Sequence, residues 1–188
     1  MPTPDVLLAF FLAAAQPVAP PAAAVQPDPA TTPLPAQAGE ALPDAAVQRV
    51  VLADSYHYFA ARDAGRYEEA YGYIAPSMRA YLTPELYRQQ IEPFNRGAGA
   101  VRQRLVTRMT WYRDPPDAPS PGLYVAADFV SRFEDLFLHC GYLMWHQEAD
   151  GTWKLAREEQ TFVDTRTAEQ MAPENRGTLP RQMGCVQP

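Results

Sequence analysis

The chain has 188 residues, 47% of them hydrophobic, and a formal net charge of −6. A chain of this length can bury enough surface to form one folded domain with a substantial core. Its 16 basic residues do not cluster, which excludes the basic surface that a nucleic-acid-binding protein uses.

The N-terminus has the features of an export signal. Val6 to Ala15 is an apolar run that is shorter than a membrane span of roughly 20 residues and typical of a signal core. Small-residue cleavage patterns follow at residues 13–15 and 22–24, whereas Met1 to Asp5 contains no Lys or Arg. We therefore expect an atypical signal peptide over residues 1–24 and a periplasmic or secreted mature chain without a transmembrane segment. The alternative is a disordered cytoplasmic leader.

Residues 25–43 have the composition of a linker. They consist largely of Pro, Ala, Gln and Thr, which bury too little apolar surface to offset the entropy lost on ordering. We expect a disordered tether here, followed by one domain over residues 44–166.

Helix signals follow the linker. Asp44 is a good N-cap, and the helix that it opens should run to about Ala64. Two further helices are expected, one over residues 67–74 and one from Thr83 to a stop near Pro93. The apolar face of the first helix is expected to hold Val47, Val51, Leu52, Tyr56, Phe59 and Ala60.

Apolar and polar residues then alternate in four segments, which predicts β-strands at residues 102–113, 123–133, 136–147 and 152–163. The fold predicted is α+β, with three N-terminal helices packed on a curved antiparallel sheet of about four strands. The third strand is apolar on both faces, which is typical of a central strand or of one under a homodimer contact through the outer face of the sheet. Residues 167–188 are expected to form a short helix and a polar tail.

The two cysteines, Cys140 and Cys185, fit an exported protein. In an oxidising compartment they could pair and tie the tail to the sheet. Closing a loop of that length would stabilise the fold by roughly 4 kcal/mol in the chain-entropy model. The alternative is a buried strand residue at position 140 and a free thiol in the tail.

Three segments carry a resemblance to a known superfamily. They are the Phe59-Ala-Ala-Arg-Asp-Ala-Gly-Arg-Tyr67 turn, residues 71–94 with their Pro-Ser-Met-Arg and Thr-Pro-Glu-Leu segments, and Asp150-Gly-Thr-Trp-Lys-Leu155. Together they resemble the nuclear transport factor 2-like superfamily, and in particular its exported bacterial domains of unknown function. The resemblance implies a cone-like fold with a pocket between sheet and helices. Because the superfamily includes isomerases, dehydratases and non-enzymatic binding domains, it implies no single activity.

Three residues are candidates for binding a ligand in such a pocket. If Trp153 and Leu155 point inward, period two places Arg157 and Glu159 on the same inward face, and Glu158 on the opposite one. Arg157 could hold an anionic group, and Glu159 could act as a base or a hydrogen-bond acceptor. Tyr56 could direct its hydroxyl into the pocket. The alternatives are a solvated strand end and an ordinary core tyrosine.

No metal-ligand spacing is found among the three histidines, and no nucleophile, P-loop or dinucleotide motif is present. We expect no cofactor. The pattern favours an exported domain that binds a small apolar or anionic ligand, or a protein partner, without catalysis. One alternative is an isomerase- or dehydratase-type enzyme with an acid–base pair in the pocket. Another is a structural partner in an envelope assembly, with an apolar outer patch that includes Leu138, Tyr142 and Met144.

Overall fold

The computed structural model describes residues 43–185. The expected signal peptide over residues 1–24 therefore lies outside the described residues, as does the expected linker over residues 25–43 apart from Pro43. Among the residues described, no helix has both the length and the apolar character needed to cross a membrane.

Four helices precede the sheet in the described part of the chain. Asp44 caps the first helix, accepting hydrogen bonds from the N–H groups of Ala46 and Val47 at 2.7 and 3.0 Å. Thr83 caps the fourth by accepting from the N–H of Leu86 at 3.2 Å. The four helices are α1 (Ala45–Asp63), α2 (Tyr67–Tyr71), α3 (Pro76–Arg79) and α4 (Pro84–Ala98).

Helix α4 continues past the stop expected near Pro93. A proline inside a helix removes one backbone hydrogen bond, but tertiary contacts hold the last turn in place. The Phe94 ring packs edge-on against Phe133 at a centroid distance of 5.7 Å, and the Asn95 amide donates to the Arg62 carbonyl at 2.5 Å. The expected stop is therefore wrong, because these tertiary contacts outweigh the local cost of the proline.

The strands form one antiparallel sheet in the order β1-β2-β3-β4. This confirms the α+β fold class with a four-stranded antiparallel sheet and helices. Four helices rather than the expected three precede the sheet, and two follow it within the described residues, where one short helix was expected. The strands are β1 (Val101–Arg113), β2 (Leu123–Phe133), β3 (Leu136–Gln147) and β4 (Trp153–Asp164).

Both edge strands contain an irregularity that shifts the pairing register. In β4 the shift lies between the pair Trp145–Leu155 and the pair Met144–Arg157, which leaves Ala156 as the extra residue. In β1 two similar shifts leave Arg102 and Thr107 without a paired residue in β2. Because each extra residue reverses the side-chain alternation beyond it, both strands turn different residues inward from those that strict alternation predicts.

One face of the sheet, here called the inner face, carries the main core against α1. Phe59 meets Phe129 edge-on at 4.9 Å, and the Trp145 indole N–H donates to the Ser55 hydroxyl at 3.0 Å. The sheet residues of this core are Val125, Ala127, Phe129, Leu143, Trp145, Trp153 and Leu155.

The opposite, outer face is partly covered by the C-terminal segment. Helix α5 (Thr165–Glu169) follows β4, and residues expected to form a polar tail form helix α6 (Pro173–Gln182). The predicted disulfide between Cys140 and Cys185 is confirmed, with the two Cα atoms 5.6 Å apart. It closes a small apolar cluster with Leu138 and Leu179, which buries Leu138 under the protein's own chain.

Candidate functional site

A cleft of about 430 Å³ lies between the α3–α4 region and β4. Its walls are mostly apolar, and its polar residues come from α1, α4 and β4. The apolar lining residues are Ile74, Met78, Tyr81, Leu82, Leu86, Ile91, Leu155 and Ala156, and the polar ones are Tyr58, Tyr87, Gln90, Arg157, Glu158 and Gln160.

The floor of the cleft carries a connected polar group, here called the floor network, made of Tyr58, Arg62, Tyr87 and Glu158. The Tyr87 hydroxyl donates to the Tyr58 hydroxyl at 3.1 Å, and the Tyr58 hydroxyl donates to Glu158 Oε2 at 2.5 Å. Arg62 Nη1 donates to the other carboxylate oxygen, Oε1, in an ion pair. Two donors, the Tyr58 hydroxyl and Arg62, are therefore directed at one carboxylate, and Tyr87 donates to the first of them.

Burial makes this network strongly electrostatic. The Arg62 side chain is 0% exposed, whereas Glu158 keeps 15% exposure toward the cleft. Burial acts to lower the pKa of Arg62, but the Glu158 carboxylate outweighs it together with Tyr58, Asp63 and Tyr87, so that the pKa is raised. Burial also raises the pKa of Tyr87 to about 12 and, with the negative charge of Glu158, raises the pKa of Tyr58. Both phenols are therefore protonated at neutral pH.

The arginine of the floor network is also held by aromatic rings. Its guanidinium lies 5.4 Å from the ring centroids of both Phe59 and Phe94, a favourable cation–π distance. Its Nε and Nη2 atoms are buried and have no hydrogen-bond partner. The pairing with Glu158 and the two rings thus fix the cation behind the cleft rather than in it, and Arg62 does not line the cleft.

A second buried ion pair lies beside the first. Arg104 of β1 pairs with Asp63, donates to the Ser131 hydroxyl at 2.8 Å, and lies 4.1 Å from the Phe59 ring centroid. Burial lowers the pKa of Arg104, while the Asp63 carboxylate opposes that shift. The inward position of Arg104 follows from the register shift in β1, because strict alternation would place it opposite Met109 and Trp111.

His139 lies next to these two ion pairs, and together they form what is here called the inner polar layer: Arg62, Glu158, Arg104, Asp63 and His139. Its Nε2 atom lies 3.1 Å from the side-chain Oε1 of Gln160, which lines the cleft. Burial lowers the pKa of His139 to about 3, although the Gln160 bond acts to raise it. The ring is therefore neutral at physiological pH, and it packs against Phe94, Phe129 and Phe133.

The expected inward orientation of Arg157 and Glu159 is wrong. The two side chains are 62% and 47% exposed and pair with each other on the outer side of β4. The reason is the extra residue Ala156, which reverses the alternation after Leu155 and turns Glu158 inward instead. Arg157 still reaches the rim of the cleft, whereas Glu159 is not among the lining residues. Ligand binding by either residue stays a prediction.

Tyr56 also points away from the cleft. It is partly exposed, and its hydroxyl accepts a hydrogen bond from the Val106 N–H of β1 at 3.2 Å. The tyrosine of α1 that reaches the cleft is Tyr58. The α1 face that packs on the sheet is therefore rotated from the expected one and contains Val51, Ser55, Tyr58, Phe59 and Arg62.

The floor network could not be predicted from the sequence. Helical spacing does connect four residues of its α1 face, Val51, Ser55, Tyr58 and Arg62. A face that contains serine and arginine, however, does not predict a buried surface. Strict alternation predicts Glu158 on the outer side, because no feature of the sequence marks the extra residue in β4. Within residues 43–185, no group of three or more His, Cys, Asp or Glu is placed to hold a metal ion.

Comparison with known proteins gives a match to a protein family but none to a curated protein. A family model described as "Protein of unknown function (DUF4019)" matches residues 54–157. The matched range includes Tyr58, Arg62 and Tyr87 and ends directly before Glu158. Because it spans more than half of the 188 residues, the chain belongs to the DUF4019 family.

Proposed function

We propose that this protein is a binding domain whose cleft between the α3–α4 region and β4 holds a small, mostly apolar molecule. The observation that carries the proposal is the combination of an apolar cleft of about 430 Å³ with a buried polar network at its floor. Small-molecule sites in proteins have this composition, with apolar walls and a few placed polar groups that fix orientation.

The mouth of the cleft supports the same proposal. Tyr81 is 81% exposed, and Leu86 is also exposed, so that apolar surface continues from the walls to the rim. Exposed apolar surface costs free energy in water, roughly 25 cal/mol for each Å². A bound apolar molecule would remove part of this cost, so we include the rim in the proposed binding surface.

The floor network favours binding over catalysis. Each carboxylate oxygen of Glu158 already accepts one hydrogen bond, from Arg62 or from Tyr58. The positive charge of Arg62 balances the carboxylate, so that Glu158 serves as the counter-charge of a buried cation even without a ligand. We therefore propose a non-catalytic role.

An isomerase- or dehydratase-type activity is the second candidate. One observation favours it: Glu158 is 15% exposed at the floor of the cleft, with the Tyr58 hydroxyl 2.5 Å from it. In this case Glu158 would move a proton on a bound carbonyl compound, and the Tyr58 hydroxyl would have to turn from Glu158 to donate to the oxygen on which charge develops. The residues that the sequence suggested for this role, Tyr56 and Glu159, do not line the cleft.

The proposal also covers the location of the protein, its superfamily and its oligomeric state. We place the binding in the periplasm or outside the cell, as the sequence of residues 1–24 predicts. We assign the fold to the nuclear transport factor 2-like superfamily, whose sheets curve into a cone. A homodimer through the outer face would use the part that α6 leaves uncovered, around Tyr142 and Met144, which are half-buried.

Native mass spectrometry of the full-length protein purified from its own cell envelope tests the proposal. We expect the wild-type protein to carry a bound small molecule. Leu86→Glu places a charge on the apolar wall and should remove that mass. The matched control is Val50→Glu, which changes another exposed apolar helix residue that does not line the cleft. It should retain the bound mass.

An empty wild-type protein, or a bound mass that survives Leu86→Glu, would contradict the proposal. If a molecule binds in the cleft, the second candidate is tested by incubating the protein with that molecule and following its mass and chromatographic retention. Conversion that Glu158→Gln abolishes would favour the enzyme, whereas an unchanged molecule would favour the binding domain.

A further inference from the structure

We propose that the cleft selects neutral ligands that have an apolar body and a hydrogen-bond donor, such as a hydroxyl or a secondary amine, which they direct at Glu158. This inference rests on the proposed function and adds the chemical class of the ligand. It follows from the direction of every hydrogen bond in the floor network.

The first step concerns the donors, which are already used. The proton of the Tyr87 hydroxyl is directed at the Tyr58 oxygen, and the proton of the Tyr58 hydroxyl is directed at Glu158 Oε2. A phenol has one donor, so neither hydroxyl has a proton left for a ligand. The Arg62 donors without a partner are buried, and the residue does not line the cleft.

The second step concerns the acceptors, which remain. A carboxylate oxygen has two lone pairs and a phenol oxygen can also accept. Each oxygen of Glu158 accepts one hydrogen bond within the network, which leaves each with further capacity. Glu158 is partly exposed in the cleft. The polar floor therefore offers acceptors to a ligand, and the ligand must supply the donor.

The other polar lining residues do not change this conclusion. Gln90 and Gln160 have amides that can donate or accept, so they do not discriminate between ligands that donate a hydrogen bond and ligands that accept one. Arg157 is at the rim, where it is 62% exposed and paired with Glu159. Its charge is screened by water and by its partner.

The third step concerns charge. The Arg62–Glu158 pair has no net charge, and neither has the neighbouring Arg104–Asp63 pair. An anionic ligand would have to bring its charge to the exposed side of a carboxylate, which is repulsive. A neutral donor meets the carboxylate without that cost and leaves the balance of the two pairs unchanged. Anionic ligands, which the sequence suggested because Arg157 could hold an anionic group, are therefore the less favoured class.

Three probes of nearly equal shape test the inference with the full-length protein. Phenylnaphthylamine is neutral and apolar and has one N–H donor. Phenyl naphthyl ether replaces that N–H by an oxygen that only accepts. Anilinonaphthalene sulfonate retains the N–H and adds an anionic group. Binding of the two amines is measured by fluorescence enhancement, and binding of the ether by displacement of phenylnaphthylamine.

We expect phenylnaphthylamine to bind most tightly. The ether should bind roughly tenfold or more weakly, because it leaves the carboxylate without a donor and opposes it with a lone pair. The sulfonate should also bind roughly tenfold or more weakly, because of charge repulsion. Leu86→Glu should weaken binding of phenylnaphthylamine, and Val50→Glu should not.

The outcomes separate this inference from the proposed function. If the ether or the sulfonate binds as tightly as phenylnaphthylamine, and Leu86→Glu weakens that binding, the cleft binds ligands but the donor rule is wrong. If none of the probes binds, or if Leu86→Glu has no effect on them, both the rule and the assignment of the cleft are overturned.

Discussion

Glu158 and Glu159 are neighbours in sequence with opposite surroundings. Glu158 pairs with a fully buried arginine, whereas Glu159 pairs with Arg157, which is 62% exposed. Removing one partner of a buried ion pair leaves an uncompensated charge, whereas exposed pairs contribute little. The two positions therefore offer a matched test of how the floor network is built.

We predict that Glu158→Gln lowers the free energy of unfolding by about 3 kcal/mol, because the buried Arg62 loses its counter-charge. Glu159→Gln should change it by less than about 1 kcal/mol. Urea denaturation followed by circular dichroism measures both. Equal effects of the two substitutions would show that Arg62 does not depend on Glu158.

Gly141 is a second residue whose surroundings determine how a substitution changes stability. A Cβ atom built at this position would lie 1.9 Å from the backbone carbonyl oxygen of Glu159. Gly141 pairs with Gln160 in the sheet, so its small size allows β4 to approach β3 next to the floor network. Any side chain there would push the two strands apart.

We predict that Gly141→Ala lowers the free energy of unfolding by about 2 kcal/mol or more, because backbone must move to make room. Gly177→Ala is the control, since nothing lies within 4 Å of a Cβ at that position in α6. It should raise stability by about 0.5 to 1 kcal/mol. Thermal unfolding of both variants measures the difference, and a neutral Gly141→Ala would contradict the close approach of the strands.

At the scale of elements, the sequence predicts the strands well and their faces poorly. Alternation places all four strands, because each has a long period-two pattern between turn residues. The inward positions of Arg104 and Glu158 each depend on a single extra residue, Thr107 in β1 and Ala156 in β4. Nothing in their side chains marks them, since the register is set by pairing with the neighbouring strand. For that reason Arg157 and Glu159 were predicted inside and Glu158 outside.

Helix α1 shows a related limit. Its ends follow from Asp44 and from the residues around Gly65, but its buried face includes Ser55 and Arg62. Those polar side chains are buried because tertiary partners exist for them, Trp145 for Ser55 and Glu158 for Arg62. Apolar periodicity alone favours a face with Tyr56, and the partners that correct it come from strands far along the chain.

Helix α6 was missed because its sequence is polar and contains Gly177 and Pro180, both unfavourable inside a helix. Leu179 and the Cys140–Cys185 disulfide attach it to the outer face. The cysteine pair could be proposed from composition, whereas the helix depends on that attachment. Its stability is therefore tertiary in origin.

We predict that the double substitution Cys140→Ser and Cys185→Ser lowers the free energy of unfolding by roughly 4 kcal/mol, from the loop that the disulfide closes. Hydrogen exchange followed by mass spectrometry should show faster exchange over residues 173–182 in the variant, while α1 retains its protection. If α6 exchanges as slowly as in the wild-type protein, the disulfide is not what attaches it.

At the scale of the whole molecule, the inner polar layer makes stability depend on pH. Burial lowers the pKa of His139 to about 3 from the ordinary 6.5. Between these two pH values the unfolded chain binds a proton that the folded chain does not. The free energy of unfolding therefore falls as the pH falls from 6.5 toward 3, and it increases again as the pH rises through the same range.

We predict a contribution from His139 of about 1.4 kcal/mol for each pH unit within that window. His139→Gln should make the dependence of stability on pH shallower between pH 6 and about 4, whatever its effect at neutral pH. Carboxylates such as Asp150 and Asp164, whose pKa values are lowered by hydrogen bonds to Thr152 and Thr167, act equally in both proteins. Equal slopes would show that His139 is protonated in the folded state.

The central claim is that the cleft beside β4 binds a ligand through the Glu158 end of the floor network. The most direct test is a crystal structure of the full-length protein with phenylnaphthylamine. We predict that the probe lies between the α3–α4 region and β4, with its nitrogen within hydrogen-bond distance of the Glu158 carboxylate. A probe bound elsewhere, or one in the cleft with its nitrogen directed to solvent, would contradict the account.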